Sequence, residues 1–218
     1  MVVHPYLAPN AVLQLLSGLV ALLVSYYAFR YGRVATSSFL RLLSLGFMLL
    51  GLGLLAQGSV LTLYLFNVGK IADRLTLTYD ATALYLALQM IAYLLIGVGY
   101  ARRMHSAAPA EPKDVVPPAA LAIIPALGTR LFQFSDLVIV ILLALIAFQA
   151  LLVFSDNRSR FSLFVLSSFL LIMVAHMVEL LSSFLSSGVL YLSGGLVQLA
   201  GFLVLLYFVI RSGRVGAA

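Results

Sequence analysis

The feature that most constrains this chain is an apolar run, Phe161 to Leu181, that carries two ionisable side chains. A helix crosses a bilayer with roughly 20 apolar residues at about 1.5 Å rise per residue, so this run is long enough to span. His176 and Glu179 lie within it three residues apart, which places them on one helix face. A glutamate that faces lipid at membrane depth costs about 2.5 kcal/mol or more. We therefore expect the pair to face the interior of a helix bundle.

Composition extends this conclusion to the whole chain. Of its 218 residues, 63% are hydrophobic and 9% are charged, and the mean hydropathy is +1.13. Soluble domains carry about 25% charged residues. The sequence therefore predicts an all-α, polytopic membrane helix bundle that forms a single transmembrane domain over residues 1–218. In a membrane protein, a net charge of +6 indicates arginines that hold the topology against anionic lipid rather than a nucleic-acid partner.

Hydropathy predicts six spans directly. Asp80 is expected near the positive end of the third helix, and Ser135 and Asp136 are candidate caps of the helix that follows the central linker. The predicted helices cover about 10–29, 38–58 (extending toward 66), 80–101, 136–154, 161–181 and 189–210.

A seventh span is predicted for the ambiguous stretch from Val115 to Phe132, which contains internal prolines and one arginine. If it crosses and the N-terminus is outside, the basic residues divide 10 to 3 in favour of the cytoplasm, whereas without it they divide 7 to 6. The positive-inside rule therefore favours seven helices, with the C-terminus in the cytoplasm. The ten cytoplasmic residues are Arg30, Arg33, Arg41, Arg102, Arg103, Lys113, Arg158, Arg160, Arg211 and Arg214, and the other three are Lys70, Arg74 and Arg130.

The two halves of the chain look alike. The segment Gln89 to Arg102 aligns without a gap with Gln198 to Arg211, and the basic turn at Arg33 corresponds to the one at Arg158. This predicts a 3+1+3 parallel internal repeat: repeat one at about 10–102, a linker with helix four at about 103–132, and repeat two at about 135–211. The arrangement resembles the parallel repeats of SWEET-type sugar transporters in architecture. The chain has no Pro-Gln pair of the kind those proteins carry, and fold alone does not establish function.

The sequence contains few residues that could bind a cofactor. Cysteine is absent, and of the three histidines only His176 lies in a predicted span, since His4 and His105 lie outside. The only lysines, Lys70 and Lys113, lie in predicted loops, so a retinal Schiff base is not expected. We expect no haem or other cofactor.

Metal and hydrolase sites are not expected either. Glu179 is the one glutamate in a predicted span, whereas carboxylate-bridged sites in helical bundles use several glutamates and a second histidine. Paired intramembrane aspartates, HExxH and GxSxG are absent. The sequence predicts no enzyme, no catalytic residue and no metal ligand.

The candidate polar site consists of His176, Glu179, Gln89 and Gln198, the glutamines taking equivalent places in the two repeats. We expect a small-solute or proton-coupled transport bundle in which the four side chains converge. The alternatives are an accessory or structural subunit of a larger membrane complex and the membrane module of a sensor. The expected partners are the lipid bilayer and either other membrane subunits or further copies of the chain, with no nucleic acid.

Overall fold

The structure, a computed structural model, describes residues 6–66, 71–107 and 131–215, and these form long helices. The described helices are α1 (Leu7–Val34), α2 (Ser38–Leu65), α3 (Ile71–Ala107), α4 (Leu131–Asn157), α5 (Arg160–Leu185) and α6 (Gly188–Val215). Each is long and apolar enough to cross a membrane. The prediction of an all-helical integral membrane protein is thus confirmed for this part of the chain. The predicted fourth span lies outside the described residues except for its last two, which begin α4.

Two predicted helix starts are wrong. α3 begins at Ile71, so Asp80 lies inside the helix rather than near its first turn. α4 begins at Leu131, so Ser135 and Asp136 are helical residues and not caps. In both cases the helix begins before the most apolar stretch of the sequence. Helix formation is not confined to the residues of highest hydropathy. This shift matters for Asp136, whose side chain is carried into the bundle.

Three tight turns in the described chain share one local structure, and the third has Ser186 at a φ of 50° followed by Ser187, whose hydroxyl accepts from the backbone N–H of Leu190. Thr36 and Arg158 both adopt positive φ angles, 50° and 42°, and each is followed by a serine that caps the next helix. The hydroxyl of Ser37 accepts a hydrogen bond from the backbone N–H of Leu40, and the hydroxyl of Ser159 accepts one from the backbone N–H of Ser162. A serine oxygen at this position satisfies a backbone donor that the first helical turn leaves free. The turns at Thr36 and Arg158 therefore reverse the chain sharply between α1 and α2 and between α4 and α5.

The six described helices pack as a closed ring. Each contacts its neighbours in the order α1 to α6, and α6 closes the ring against α1. Large side chains fill the centre, where the ring centroid of Phe47 lies 6.4 Å from that of Phe169 and 5.9 Å from that of Phe202. Leucines and aromatic residues cover the outside, as expected for a surface that meets lipid.

Helix directions follow from specific contacts. Gly188 lies against Tyr6 and Gly195 against Leu13, so α6 runs parallel to α1. Across the ring, the numbering of facing residues runs in opposite senses in α3 and α5, since Gln89 pairs with His176 while Tyr100 pairs with Phe169. These two helices are therefore antiparallel.

α3 and α4 run in the same direction. The tight turn at Arg158 makes α4 antiparallel to α5, and α3 is also antiparallel to α5. The contact between Gly97 and Ile146, which lie at similar distances from the C-terminal ends of their helices, agrees with this assignment. α1, α3, α4 and α6 thus point one way, and α2 and α5 point the other.

These directions separate the charges of the bundle. Every arginine whose side chain the structure describes lies where α1, α3, α4 and α6 end and where α2 and α5 begin; we call this the arginine end. The residues are Arg30, Arg33, Arg41, Arg102, Arg103, Arg158, Arg160 and Arg211.

Candidate functional site

The site begins with a hydrogen bond between two buried side chains. Gln89 of α3 is fully buried and His176 of α5 is 1% exposed, and their Nε2 atoms lie 2.8 Å apart. The Tyr93 hydroxyl, one helical turn along α3, lies 3.4 Å from the same imidazole nitrogen. The Tyr93 ring meets the imidazole edge-on, with centroids 6.2 Å apart. The imidazole is therefore held from one side by α3.

Glu179 lies on the other side of the imidazole. Its Oε2 atom is 3.1 Å from Nδ1 of His176, close enough for a hydrogen bond but not aligned as one. The carboxylate side chain is 15% exposed. Gly194 of α6 packs against it, and a Cβ at that glycine would stand 2.7 Å from Cγ of Glu179. The glycine thus leaves the space that the glutamate side chain occupies between α5 and α6.

Asp136 completes the cluster from α4. One ligand atom each from Asp136, His176 and Glu179 lie within 4.8 Å of one another, and both carboxylates are half-buried. Sequence reasoning missed this residue because it treated Asp136 as a cap outside the span. Leu131, Phe132 and Phe134 precede it, and reading these apolar residues as part of the helix would have placed the aspartate inside.

Gln198 joins the cluster indirectly. Its side chain is 5% exposed and lies beside the hydroxyl of Tyr85, which is within electrostatic range of Glu179. The Nε2 atom of Gln198 is buried without a hydrogen-bond partner. Among the four residues predicted from sequence, the structure thus brings Gln89, His176 and Glu179 into one chain of contacts. Gln198 is linked to them through Tyr85.

The proton on His176 has two arrangements. If Gln89 donates its amide N–H to Nε2, the imidazole carries its proton on Nδ1, facing Glu179. In that orientation Oε1 of Gln89 is buried without a partner. If the amide is turned over, Oε1 accepts a hydrogen bond from Nε2–H, and the Nδ1 lone pair faces the carboxylates. The second arrangement satisfies the buried carbonyl and makes Nδ1 a free ligand atom.

No protein-family model, curated protein or solved structure matches the chain. The geometry of the site therefore carries the functional argument.

A pocket of about 340 Å³ opens near the cluster, at the end of the bundle opposite the arginines. Its wall includes Tyr191 of α6, whose hydroxyl lies beside the side chains of Asn10 and Gln14. Tyr191 is also within electrostatic range of both carboxylates. Polar side chains thus continue from the pocket toward the cluster. The lining residues are Tyr6, Leu7, Asn10, Ser182, Ser186, Ser187, Gly188 and Tyr191.

Chemically, the cluster is a site for positive charge. With both carboxylates ionised and a neutral imidazole, Asp136, His176 and Glu179 carry two negative charges. The arginines whose side chains the structure describes all lie at the arginine end, away from this cluster. Two carboxylates inside a bundle are stabilised when a cation lies between them.

Proposed function

We propose that this protein is a transport bundle that carries a small cationic solute through the membrane, with Gln89, Asp136, His176 and Glu179 as its binding site. The buried contact between His176 and Glu179, with a second carboxylate alongside, is the observation that carries the proposal. Ionisable residues within membrane helices are costly, and they typically mark a substrate or ion path. The pocket at one end, whose wall includes Asn10, Ser182 and Tyr191, provides an approach to the site.

We also propose that the helices form two parallel repeats, α1–α3 and α4–α6. The proposal is supported by the ring order, since a two-fold rotation that exchanges the halves maps every helix contact onto another. The serine-capped turns at the arginine end match Ser37 with Ser159, and a turn of the same kind also precedes α6, where Ser187 is the cap. In this superposition Arg158 corresponds to Thr36, whereas the sequence alignment paired it with Arg33.

Side-chain packing supports the same repeat. With the serine caps matched, Phe47 corresponds to Phe169, and these two rings face each other at the centre of the bundle. The same match pairs Gly46 with Ser168, and the alignment of the third helices pairs Ala92 with Gly201.

The backbone approach is equivalent in the two halves. A Cβ at Gly46 would stand 3.0 Å from the Ala92 carbonyl, and one at Gly201 would stand 3.2 Å from the Ser168 carbonyl. Parallel repeats of this kind occur in transporters, with the site at the repeat interface.

The parallel course of α3 and α4 supports a seventh span. α3 ends at the arginine end, whereas α4 begins at the opposite end, so the connection must return through the length of the bundle. A chain that crosses hydrocarbon must satisfy its backbone internally, which requires a helix. We propose that the stretch predicted to span, Val115 to Phe132, supplies this crossing up to the residue at which α4 begins.

Orientation follows from the arginines. Because positive residues concentrate on the cytoplasmic side, we propose that the arginine end faces the cytoplasm. The N-terminus and the pocket beside Tyr6 and Tyr191 then face outward, and the C-terminus lies inside.

Reconstitution tests transport. The purified protein in proteoliposomes is exposed to concentration steps of methylammonium, Mn²⁺ and Zn²⁺, and charge movement is recorded on a solid-supported membrane. We expect currents for at least one cation that are lost in Glu179→Gln and kept in Ser167→Ala, a matched control on α5. The Ser167 hydroxyl bonds only to the Phe164 carbonyl of its own helix. Equal currents in wild type and Glu179→Gln, or none for any cation, would overturn the proposal.

Native mass analysis after mild detergent extraction tests whether the protein acts alone. We expect a monomer or an oligomer of this chain only. A stable complex with other polypeptides would contradict a stand-alone transporter and favour a subunit role.

A further inference from the structure

We propose that Asp136, His176 and Glu179 form a binding site for one divalent transition-metal ion. The three side chains come from α4 and α5 and offer two carboxylate oxygens and one imidazole nitrogen within 4.8 Å of one another. This ligand set suits Zn²⁺, Mn²⁺, Fe²⁺ and Co²⁺, because imidazole favours transition metals over Ca²⁺ and Mg²⁺. The inference rests on the proposed transport function only in making this ion the solute that is carried.

The imidazole of His176 is the observation that points to a metal. The residue is 1% exposed, and its Nδ1 atom has no hydrogen-bond partner although it lies 3.1 Å from Glu179 Oε2. A buried polar atom without a partner is unfavourable by about 1–3 kcal/mol. A metal ion bound between Nδ1 and the carboxylates would satisfy that nitrogen, which a misaligned contact does not.

Gln89 is placed to orient this ligand. Metal-bound histidines almost always donate the second ring N–H to an oxygen acceptor, which fixes the tautomer. The Gln89 amide lies 2.8 Å from His176 Nε2, and its own Oε1 is buried without a partner. With the amide turned over, Oε1 accepts from Nε2–H and Nδ1 presents its lone pair to the ion. One change of amide orientation thus pairs Oε1 with the imidazole N–H and presents Nδ1 to the ion, while the amide Nε2 takes the position that has no hydrogen-bond partner.

Distances agree with a small adjustment on binding. Ligand atoms around a tetrahedral ion with bonds of about 2.0–2.1 Å stand roughly 3.3 Å apart. The pair His176 Nδ1 and Glu179 Oε2, at 3.1 Å, already meets this spacing. Asp136 needs to close by at most about 1.5 Å, a side-chain rotation in a half-buried residue. Three protein ligands leave a fourth position for water or an incoming ligand, as in sites that exchange their contents.

Charge selects a divalent ion. When both are ionised, the two carboxylates contribute two negative charges, and among the described side chains no arginine lies at this end of the bundle. Among the described side chains, the other titratable groups that face the cluster are the phenols of Tyr85, Tyr93 and Tyr191, which come from α3 and α6. A divalent cation neutralises the site, whereas a monovalent one leaves a net negative charge in a low-dielectric interior.

The corresponding positions of the first half contain no such ligands. Matching Ser37 with Ser159 pairs Asp136 with Gln14, His176 with Leu54 and Glu179 with Gln57. The expected stoichiometry is therefore one ion per chain. These pairs also supply conservative replacements, because Glu179→Gln and His176→Leu introduce residues that the bundle already accommodates in the other half.

The first experiment titrates Co²⁺ and Zn²⁺ into the purified protein in detergent, by visible absorption and calorimetry. We expect one site per chain, with a Co²⁺ spectrum typical of four or five ligands. Glu179→Gln and His176→Leu should weaken binding at least tenfold, and Ser167→Ala should leave it unchanged. Gln89→Leu should weaken binding by about 10–100-fold without changing the stoichiometry, since Gln89 positions the ligand and does not bind the ion. Circular dichroism identifies variants that fail to fold, and Asp136→Asn replaces any such ligand variant.

The two proposals fail in different ways. If wild type binds no Co²⁺ or Zn²⁺ stoichiometrically, or if the folded ligand variants bind like wild type, the metal site is wrong. Methylammonium currents that depend on Glu179 would still support transport in that case. If one ion binds through these residues but no cation crosses proteoliposomes, the metal site stands and the transport function is wrong.

Discussion

Gln89 and His176 join two helices that are not neighbours in the ring, through Nε2 atoms 2.8 Å apart. Both side chains are almost completely buried, so this hydrogen bond has no solvent to replace it. The contact sets the rotation of α3 relative to α5, and it turns the second imidazole nitrogen toward Glu179. One interhelical bond therefore fixes both the packing and the direction in which the site presents its histidine.

Removing this bond should destabilise the protein. In Gln89→Leu, Nε2 of His176 loses the 2.8 Å bond and keeps only the longer 3.4 Å contact with the Tyr93 hydroxyl, a loss that costs about 1–3 kcal/mol. We expect a lower thermal midpoint in detergent, measured by circular dichroism. Ser167→Ala is the matched control, because the Ser167 hydroxyl bonds to the Phe164 carbonyl of its own helix and less should be lost. The double variant Gln89→Leu/His176→Leu should recover part of the loss, and strictly additive effects of the two changes would contradict the pairing.

The glycine contacts between helices should be sensitive to a single methyl group. A Cβ at Gly46 would stand 2.7 Å from Cγ1 of Ile96 and 3.0 Å from the Ala92 carbonyl oxygen. We expect Gly46→Ala to lower stability by about 1–3 kcal/mol through overpacking. Gly97→Ala is the control, since its nearest neighbour would be Ile146 at an ordinary 3.8 Å. Equal thermal midpoints for the two variants would argue against the close approach of α2 and α3.

The proposed repeat predicts that the metal site can be copied. Replacing Gln14, Leu54 and Gln57 by Asp, His and Glu places the same ligands at the matching positions of α1 and α2. Gln198, which corresponds to Gln89, already lies on α6 with a buried unpaired amide nitrogen. We expect this triple variant to bind two Co²⁺ ions per chain, measured by calorimetry. A folded variant that still binds one ion would show that the halves are not equivalent at this depth.

Topology can be read from single cysteines, since the chain contains none of its own. We introduce cysteine at Ser187, Thr36 or Ser155 and treat intact cells with a membrane-impermeant maleimide. Ser187→Cys should be labelled directly, because it lines the pocket at the outward end. Thr36→Cys and Ser155→Cys should both be labelled only after permeabilisation, because both positions lie at the arginine end.

The comparison of these two cytoplasmic positions tests the seventh span. With a crossing between α3 and α4, Thr36 and Ser155 lie on the same side of the membrane. Without it, the number of crossings between them becomes odd, and one of the two would be labelled in intact cells. Labelling of Thr36→Cys but not Ser187→Cys in intact cells would instead reverse the proposed orientation.

The sequence by itself determined the class of the protein and one face of its site. Long apolar runs must become helices in a bilayer because no other open structure satisfies the backbone there, so hydropathy sufficed to predict the described helices. The spacing of His176 and Glu179 is a property of one helix, and it was sufficient to place them together. Their inward orientation followed from the cost of exposing a carboxylate to lipid.

Only the tertiary structure decided which side chains of other helices contact His176 and Glu179. Gln89 and Asp136 come from other helices, and contacts between helices depend on rotation and depth, which apolar sequence leaves almost free. Asp136 was misplaced because hydropathy marks where a membrane window ends and not where a helix begins. The second carboxylate therefore became visible only when α4 was seen to begin at Leu131, which carries the aspartate into the bundle beside His176 and Glu179.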